Sequence, residues 1–533
     1  MSQAEIRRRQ AHTISYVIAL VTLGVTARLA GYDGVTYVAA GFWAYLLVSV
    51  LVCGGITDAL GRVLRLRNSK GQYRNAFRMR KNAFLLQAAL GLAGMAVLLL
   101  AAERITVHWF HIRYSTLILT ILAPAVLLQS ISAVLMGYSR GEGAELSGIA
   151  AILRQLLILG FSFLFCRMLG NYGGKVSRLL GRDNFTSMYG GVGFSIAVPL
   201  AEVLIVALLS LIYFATRKRQ AVNWQEGMRT TDSVADSIRI LCSNRLARLG
   251  ILLTATVPLP LGLFLLQGAA EDPEAAAVQY GIYVAGYVVL CGVPAIFITL
   301  LLISVCGRMM TLMRKEENRY AKAVFQSGVH VIGVYGAFAA VFLAVMSRQF
   351  AELFCPEQAA LAARMLAGGS SALLFMALAV YFARILVLTG RKTYVLGAAA
   401  AADLLYAVTA LLMLNLGKAG VLALVYAGTL GSGALCVILG LFAYRQMRQR
   451  VDWLHMAVVP VAAACVSGLF ALLVSKVLQP HLGIFFTLVI CLILSTALYW
   501  CGLLLLRNVR EQELENFPGG KLLNAVGQML KVF

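Results

Sequence analysis

The chain has 533 residues, 60% of them hydrophobic and only 13% charged, with a mean hydropathy of +0.82, whereas soluble domains carry about 25% charged residues. No soluble core hides so much apolar surface, so the bilayer is the solvent for most of this chain. The formal net charge of +23 does not mark a nucleic-acid binder, because Lys and Arg sit in short stretches between apolar segments rather than on one basic domain.

The first apolar run begins near residue 13, behind Arg7, Arg8 and Arg9. It lacks the small-residue cleavage site of a signal peptide and reads as a retained first helix. Further apolar segments begin near residues 35, 82, 114, 147, 189, 247, 278, 323, 368, 394, 419, 454 and 482. Each has the roughly 20 residues that cross a hydrocarbon core about 30 Å thick. The expected fold class is therefore an all-α polytopic membrane protein with fourteen transmembrane helices. If the N-terminus is cytoplasmic, most of the 46 Lys and Arg residues fall in cytoplasmic loops and tails, densest in 62–81, 217–248 and 308–322. That is the positive-inside pattern, and it puts both termini in the cytoplasm.

Two cytoplasmic stretches read as amphipathic rather than spanning. Behind possible caps at Thr231 and Asp232, Val234, Ile238, Leu241 and Leu246 recur at helical spacing beside Arg239 and Arg245. Near the C-terminus Leu522, Leu523, Val526, Met529, Leu530 and Phe533 form a similar stripe. Both are expected to lie on the membrane surface. The ten cysteines lie mostly in apolar segments and form neither a disulfide framework nor a CxxC site. The sequence offers no nucleophile paired with a base, no metal cluster and no phosphate loop. Neither enzymatic activity nor a cofactor or metal is expected.

A weak self-similarity recurs at an offset of 246 to 249 residues. Gly34, Tyr37, Val38 and Ala39 at the start of segment 2 match Gly281, Tyr283, Val284 and Ala285 at the start of segment 8. Gly61 and Arg62 match Gly307 and Arg308, followed by Tyr73 and Phe77 in one copy and Tyr320 and Phe325 in the other. Gly141 and Gly148 match Gly390 and Gly397. Six segments separate equivalent points, so both copies enter the membrane in the same direction and relate by an axis along its normal. The expected layout is a lobe of six helices over 1–216, an amphipathic linker over 217–246 and a second six-helix lobe over 247–444. Two added helices follow over 445–508, then a cytoplasmic tail over 509–533.

Ionisable residues inside membrane helices are costly, so each is a candidate for function. Arg154 and Asp403 each lie six residues after a repeat glycine, Gly148 and Gly397. They are pseudo-equivalent, opposite in charge, and expected to meet or to serve as a gate or headgroup contact. Glu202, three residues after Pro199, could bind a proton or Na+, or simply pack. Asp58 and Arg62 stand one turn apart near the cytoplasmic end of segment 2, as a local ion pair or a cargo contact. Arg28 and Arg384 lie where they could snorkel or reach a phosphate. Pro258, Pro260 and Pro294 interrupt helical hydrogen bonding in segments 7 and 8 and are hinge candidates.

Several stretches carry a family resemblance. They are Gly54-Gly-Ile-Thr-Asp-Ala-Leu-Gly-Arg62, Leu135-Met-Gly-Tyr-Ser-Arg-Gly141 continuing to Arg154, and Tyr280 to Pro294. In their order and spacing they resemble the multidrug/oligosaccharidyl-lipid/polysaccharide (MOP) exporter superfamily, and within it the stage V sporulation protein B and lipid II flippase branch. The resemblance implies two lobes, alternating access, and a lipid-linked glycan on a polyprenyl pyrophosphate as cargo, moved across the cytoplasmic membrane of a bacterium. Lipid II flippases carry cavity arginines on helices 1, 2 and 8, whereas segment 8 here has none. The alternatives are a cation-coupled drug exporter and a non-transporting scaffold in envelope assembly or sporulation. Segment 1 has no acidic residue of the kind drug exporters often use for cation binding.

The topology is directly testable. Reporter fusions should place the 62–81 loop and Phe533 in the cytoplasm; an outer location for either would overturn the orientation.

Overall fold

The computed structural model describes residues 3–143, 146–182, 184–224, 233–449, 452, 454–509 and 524. Among them there is no strand, and eighteen α-helices follow in chain order. The first nine are α1 (Gln3–Cys53), α2 (Ile56–Ser69), α3 (Tyr73–Glu103), α4 (Ser115–Gly141), α5 (Leu146–Leu180), α6 (Asn184–Trp224), α7 (Val234–Thr256), α8 (Pro258–Ala269) and α9 (Pro273–Ile282). After them come α10 (Val289–Arg314), α11 (Asn318–Val345), α12 (Ser347–Phe354), α13 (Ala359–Gly369), α14 (Ser371–Leu388), α15 (Lys392–Asn415), α16 (Leu422–Met447), α17 (Val459–Leu478) and α18 (Ile484–Leu505).

Thirteen helical runs among the described residues are long and apolar enough to cross a membrane. The count differs from fourteen because segments 1 and 2 run together as one stretch, Glu5–Ser69, of 65 residues. At 1.5 Å per residue this is about 100 Å of helix, far more than one crossing needs. Glycines interrupt it. Gly31 has φ 79 and ψ 169, and Gly55 has φ 78, a region that costs other L-residues dearly. The amphipathic stretch after residue 233 is not a separate element, since α7 runs through it into segment 7. Its cap is Ser233, whose Oγ accepts from the Asp236 N–H at 3.0 Å. Thr231, Asp232 and the 522–533 stripe, apart from Asn524, lie outside the described residues.

The chain forms two compact units, Arg7–Gly281 and Met1–Ile6 with Ile282–Phe533. In the first unit α4 runs through the core, with Ile118, Leu119, Leu122, Ala123, Ala125 and Val126 fully buried. Small residues allow close approach of backbones, as membrane packing favours. Gly41 lies against the backbone of Leu119, and the Ser115 hydroxyl donates to the Tyr37 carbonyl at 2.7 Å. A Cβ at Gly193 would press on the backbone of α5 at Phe165 and Cys166, and one at Gly281 would drive into the carbonyl of Tyr32. α7 ends at the bend of Val257, and Pro258 opens α8. Nearby, Trp43 Nε1 donates to the Tyr280 hydroxyl (3.0 Å), which donates to the Leu259 carbonyl (2.8 Å).

In the second unit α17 and α18 pack on α11. The Tyr499 hydroxyl donates to the Val334 carbonyl at 2.7 Å, Tyr335 meets Trp500 edge-on, and Gly333 sits against the Met456 carbonyl. A buried contact of 3.1 Å joins His330 to Asn508. Before α10 the helix widens into a π turn, Tyr283–Val288, with Tyr283 and Tyr287 stacked at 5.6 Å. Segment 10 is also interrupted, between α13 and α14 at Ser370. The Gly369 carbonyl at that interruption accepts the Tyr287 hydroxyl at 2.9 Å. Pro294 lies inside α10.

Close packing of the first unit is testable at Gly281. Gly281→Ala should lower stability by about 1–3 kcal/mol or more, the cost of overpacking a tight contact, read as a lower melting temperature in detergent. An unchanged melting temperature would show that the Tyr32 backbone yields freely.

Candidate functional site

Two centres of charged residues stand out in the first unit. One is built around Asp58. The double glycine Gly54-Gly55 ends α1 and lets α2 start at a new angle, placing Asp58 in the first turn of α2. A Cβ at Gly54 would meet Leu249 of α7 at 2.7 Å, and one at Gly55 would meet Arg245 at 3.3 Å, so α7 lies directly against the break. The carbonyls that α1 loses there are capped by Arg245, whose Nη2 donates to Leu51 and, at 3.2 Å, to Val52. A cation at a helix C-terminus is the favourable sign.

Three guanidinium groups then converge on the Asp58 carboxylate. Arg140, at the end of α4, and Arg248, from α7, each form an ion pair with it, and Arg8, from α1, approaches to 3.7 Å. Arg140 reaches it because α2 has glycine at position 61: a Cβ there would lie 2.8 Å from Arg140 Cδ. Arg8 and Arg140 are buried, whereas the Arg248 side chain is 55% exposed. Arg65 holds the end of α4 by donating to the Arg140 carbonyl at 3.0 Å. Arg62 is exposed and its Nε donates to the backbone carbonyl of Asp58 at 3.3 Å. The expected neighbours Asp58 and Arg62 are thus joined through backbone, while the Asp58 carboxylate serves arginines from three other helices.

The second centre is Arg154 with Glu202. Arg154 Nε lies 2.7 Å from Glu202 Oε1, and its Nη2 donates to the Ser132 hydroxyl at 3.1 Å. Glu202 is 1% exposed. Helices α4, α5 and α6 each supply one group, and Tyr45 of α1 extends the polar interior through a 3.1 Å contact with Gln129. The sequence treated Arg154 and Glu202 as separate candidates; the fold makes them partners within one unit.

In the second unit, Arg384 of α14 donates to the Thr299 carbonyl of α10 at 3.1 Å. Asp403 is half-buried on α15. Arg28 is exposed on α1, three residues before Gly31. Two members of the Asp58 cluster, Arg8 and Arg140, were not singled out from sequence. The available signal was the pair of glycines, Gly61 and Gly141, each packed against the partner helix: a Cβ at Gly141 would lie 2.6 Å from Leu64.

No protein-family model and no curated protein matches the chain. Solved structures do match in fold. A multidrug-resistance MATE family transporter of the MOP superfamily, inward-facing, superposes with TM-score 0.61 at 13% identity over 84% of this chain and 98% of its own. The lipid II flippase MurJ, in an inward closed conformation, gives TM-score 0.63 at 12% identity over 93% of this chain and 97% of its own. A MOP superfamily transporter from Pyrococcus furiosus gives 0.56 at 14% identity over 84% and 98%. The chain is a multi-pass helical membrane protein with the fold of MOP superfamily transporters.

The buried pair makes a sharp prediction. Arg154→Met or Glu202→Leu alone should cost about 3–5 kcal/mol by leaving an uncompensated charge, whereas the double variant should recover most of that loss. Melting in detergent would show this. A double variant no more stable than the singles would mean that the two residues do not depend on one another.

Proposed function

We propose that this protein is a flippase that carries an anionic lipid-linked oligosaccharide or peptidoglycan precursor outward across a bacterial cytoplasmic membrane, with both termini cytoplasmic. Alternating access of the two repeat-related lobes moves the cargo, and bending at Pro258, Pro260 and Pro294 accompanies it. The observation that carries the reading is the convergence of Arg8, Arg140 and Arg248 on one carboxylate. Three guanidinium groups share a single carboxylate, and planar guanidinium forks suit phosphate oxygens. The flippase neighbour supports it further. Its match reaches 93% of this chain, against 83–86% for the MATE transporters.

A cation-coupled drug exporter has the same fold and is the second reading. It is favoured by one buried acid, Glu202, but that acid is already matched by Arg154 at 2.7 Å. The Asp58 cluster would repel a cationic drug. An inside-negative potential favours outward movement of negative cargo by about 2.3 kcal/mol per charge per 100 mV, so the membrane potential supplies a driving force. Asp403, Arg384 and Arg28 are left with roles in the cargo path or as gates of the lobes that hold them.

Purified protein in liposomes should speed the exposure of a fluorescent polyprenyl-pyrophosphate glycan to an outer-leaflet reagent at least about tenfold over protein-free vesicles. No acceleration, together with ion-dependent efflux of a small organic cation, would replace this reading with the drug-exporter one.

A further inference from the structure

We propose that Asp58 is a resident counter-anion in an oxyanion socket formed by Arg8, Arg140 and Arg248, and that a phosphate or diphosphate group binds there by displacing it. The inference rests on the reading that the cargo is anionic, and adds where its charge is first met and what must leave.

The cluster is hard to explain as scaffolding. One guanidinium satisfies a partly buried carboxylate, and replacing a buried ion pair by apolar residues often stabilises a protein. Here three converge from α1, α4 and α7. Like charges gathered on one carboxylate repel one another. Asp58 supplies a single negative charge to the three. A diphosphate brings more negative charge and more acceptor oxygens to the same space, and charge-assisted bonds from arginine to phosphate are among the strong ones.

The socket is built rather than incidental. Gly61 clears the path along which Arg140 crosses α2, since any Cβ there would collide with the Arg140 stem. Gly55, left-handed with φ 78, sets the turn that brings Arg245 and α7 against the α1–α2 break. Arg245 is fixed on the Leu51 and Val52 carbonyls, three residues before Arg248. Arg8 and Arg140 are buried, Arg248 is half-exposed, and the Asp58 side chain retains 13% exposure. The open side of the socket is therefore the Arg248 side, where Asp58 can leave and an anion can enter.

The socket predicts a reversal of sign. Removing the charge of Asp58 while keeping its shape should tighten anion binding, because the internal competitor is gone. In detergent-solubilised full-length protein at low salt, Asp58→Asn should bind inorganic pyrophosphate about tenfold or more tightly than wild type by calorimetry, and Arg140→Gln should bind it about tenfold more weakly. Arg248→Gln, at a half-exposed position that folding tolerates, should also weaken binding about tenfold and serves as the test if Asp58→Asn does not fold. Folded Asp58→Asn protein with unchanged or weaker binding, or Arg248→Gln protein with unchanged binding, overturns the proposal. Repeating the measurement with polyprenyl pyrophosphate in nanodiscs separates the sources. Tightening for both ligands assigns the socket to a lipid headgroup, and tightening for free pyrophosphate alone assigns it to a soluble phosphate. Pyrophosphate binding with the reversal intact but no flipping in liposomes would remove the transport reading and leave the socket. Flipping without the reversal would do the opposite.

Discussion

A backbone carbonyl or amide left bare in hydrocarbon costs several kcal/mol, and this constraint is visible where the described helices break. Such departures are frequent here, and side chains from distant parts of the sequence attend them. Arg245 caps the end of α1 at Gly54-Gly55. Tyr280, held by Trp43, reaches the Leu259 carbonyl beside Pro258 and Pro260. In the second unit Tyr287 donates to the Gly369 carbonyl where segment 10 is interrupted. Each departure places a polar anchor where an uninterrupted helix would have apolar surface, and the Asp58 centre of the first unit is built on the first of them.

The same cost governs the charges. Arg154 and Glu202 stand on α5 and α6 and neutralise each other locally, and Ser132 accepts a hydrogen bond from the arginine. Asp58 is different, because three guanidinium groups share its single carboxylate. A protein interior tolerates that imbalance where solvent reaches it, and Arg248 provides the opening. One unit thus holds a balanced centre and an unbalanced one, and only the second is disposed to attract an anion.

Much of the fold was legible in the sequence because the bilayer sets a length and a polarity that leave little freedom. The apolar segments correspond to the helical runs, and the repeat glycines Gly34, Gly61, Gly141 and Gly281 lie at close backbone or side-chain approaches. The boundary between segments 1 and 2 falls at Gly31, where a single residue with φ 79 kinks the chain between two helices. The ionic partnerships were least legible. Arg154 and Glu202 are 48 positions apart by their numbers, and nothing in local periodicity ties them. The internal repeat drew attention to Asp403 instead, because a repeat reports where equivalent residues lie and not what they touch. Arg140 escaped notice for a related reason. Its role depends on the absence of a side chain at Gly61, a gap that gains meaning only once α2 and α4 are laid together.

The π turn at Tyr283–Val288 holds one surplus residue within an otherwise α-helical rod. Such a surplus behaves like a wrinkle in a carpet. Sliding it along the rod swings the residues it passes by about 100° around the axis, one residue's share of a 3.6-residue turn, while both ends stay where they are. Tyr283 and Tyr287, stacked on one another, lie within its reach. The Tyr287 hydroxyl is pinned to Gly369 at the joint of α13 and α14, so the wrinkle cannot travel past Tyr287 without pulling on that joint. Two departures from regular helix on different elements are thereby tied by a buried hydrogen bond.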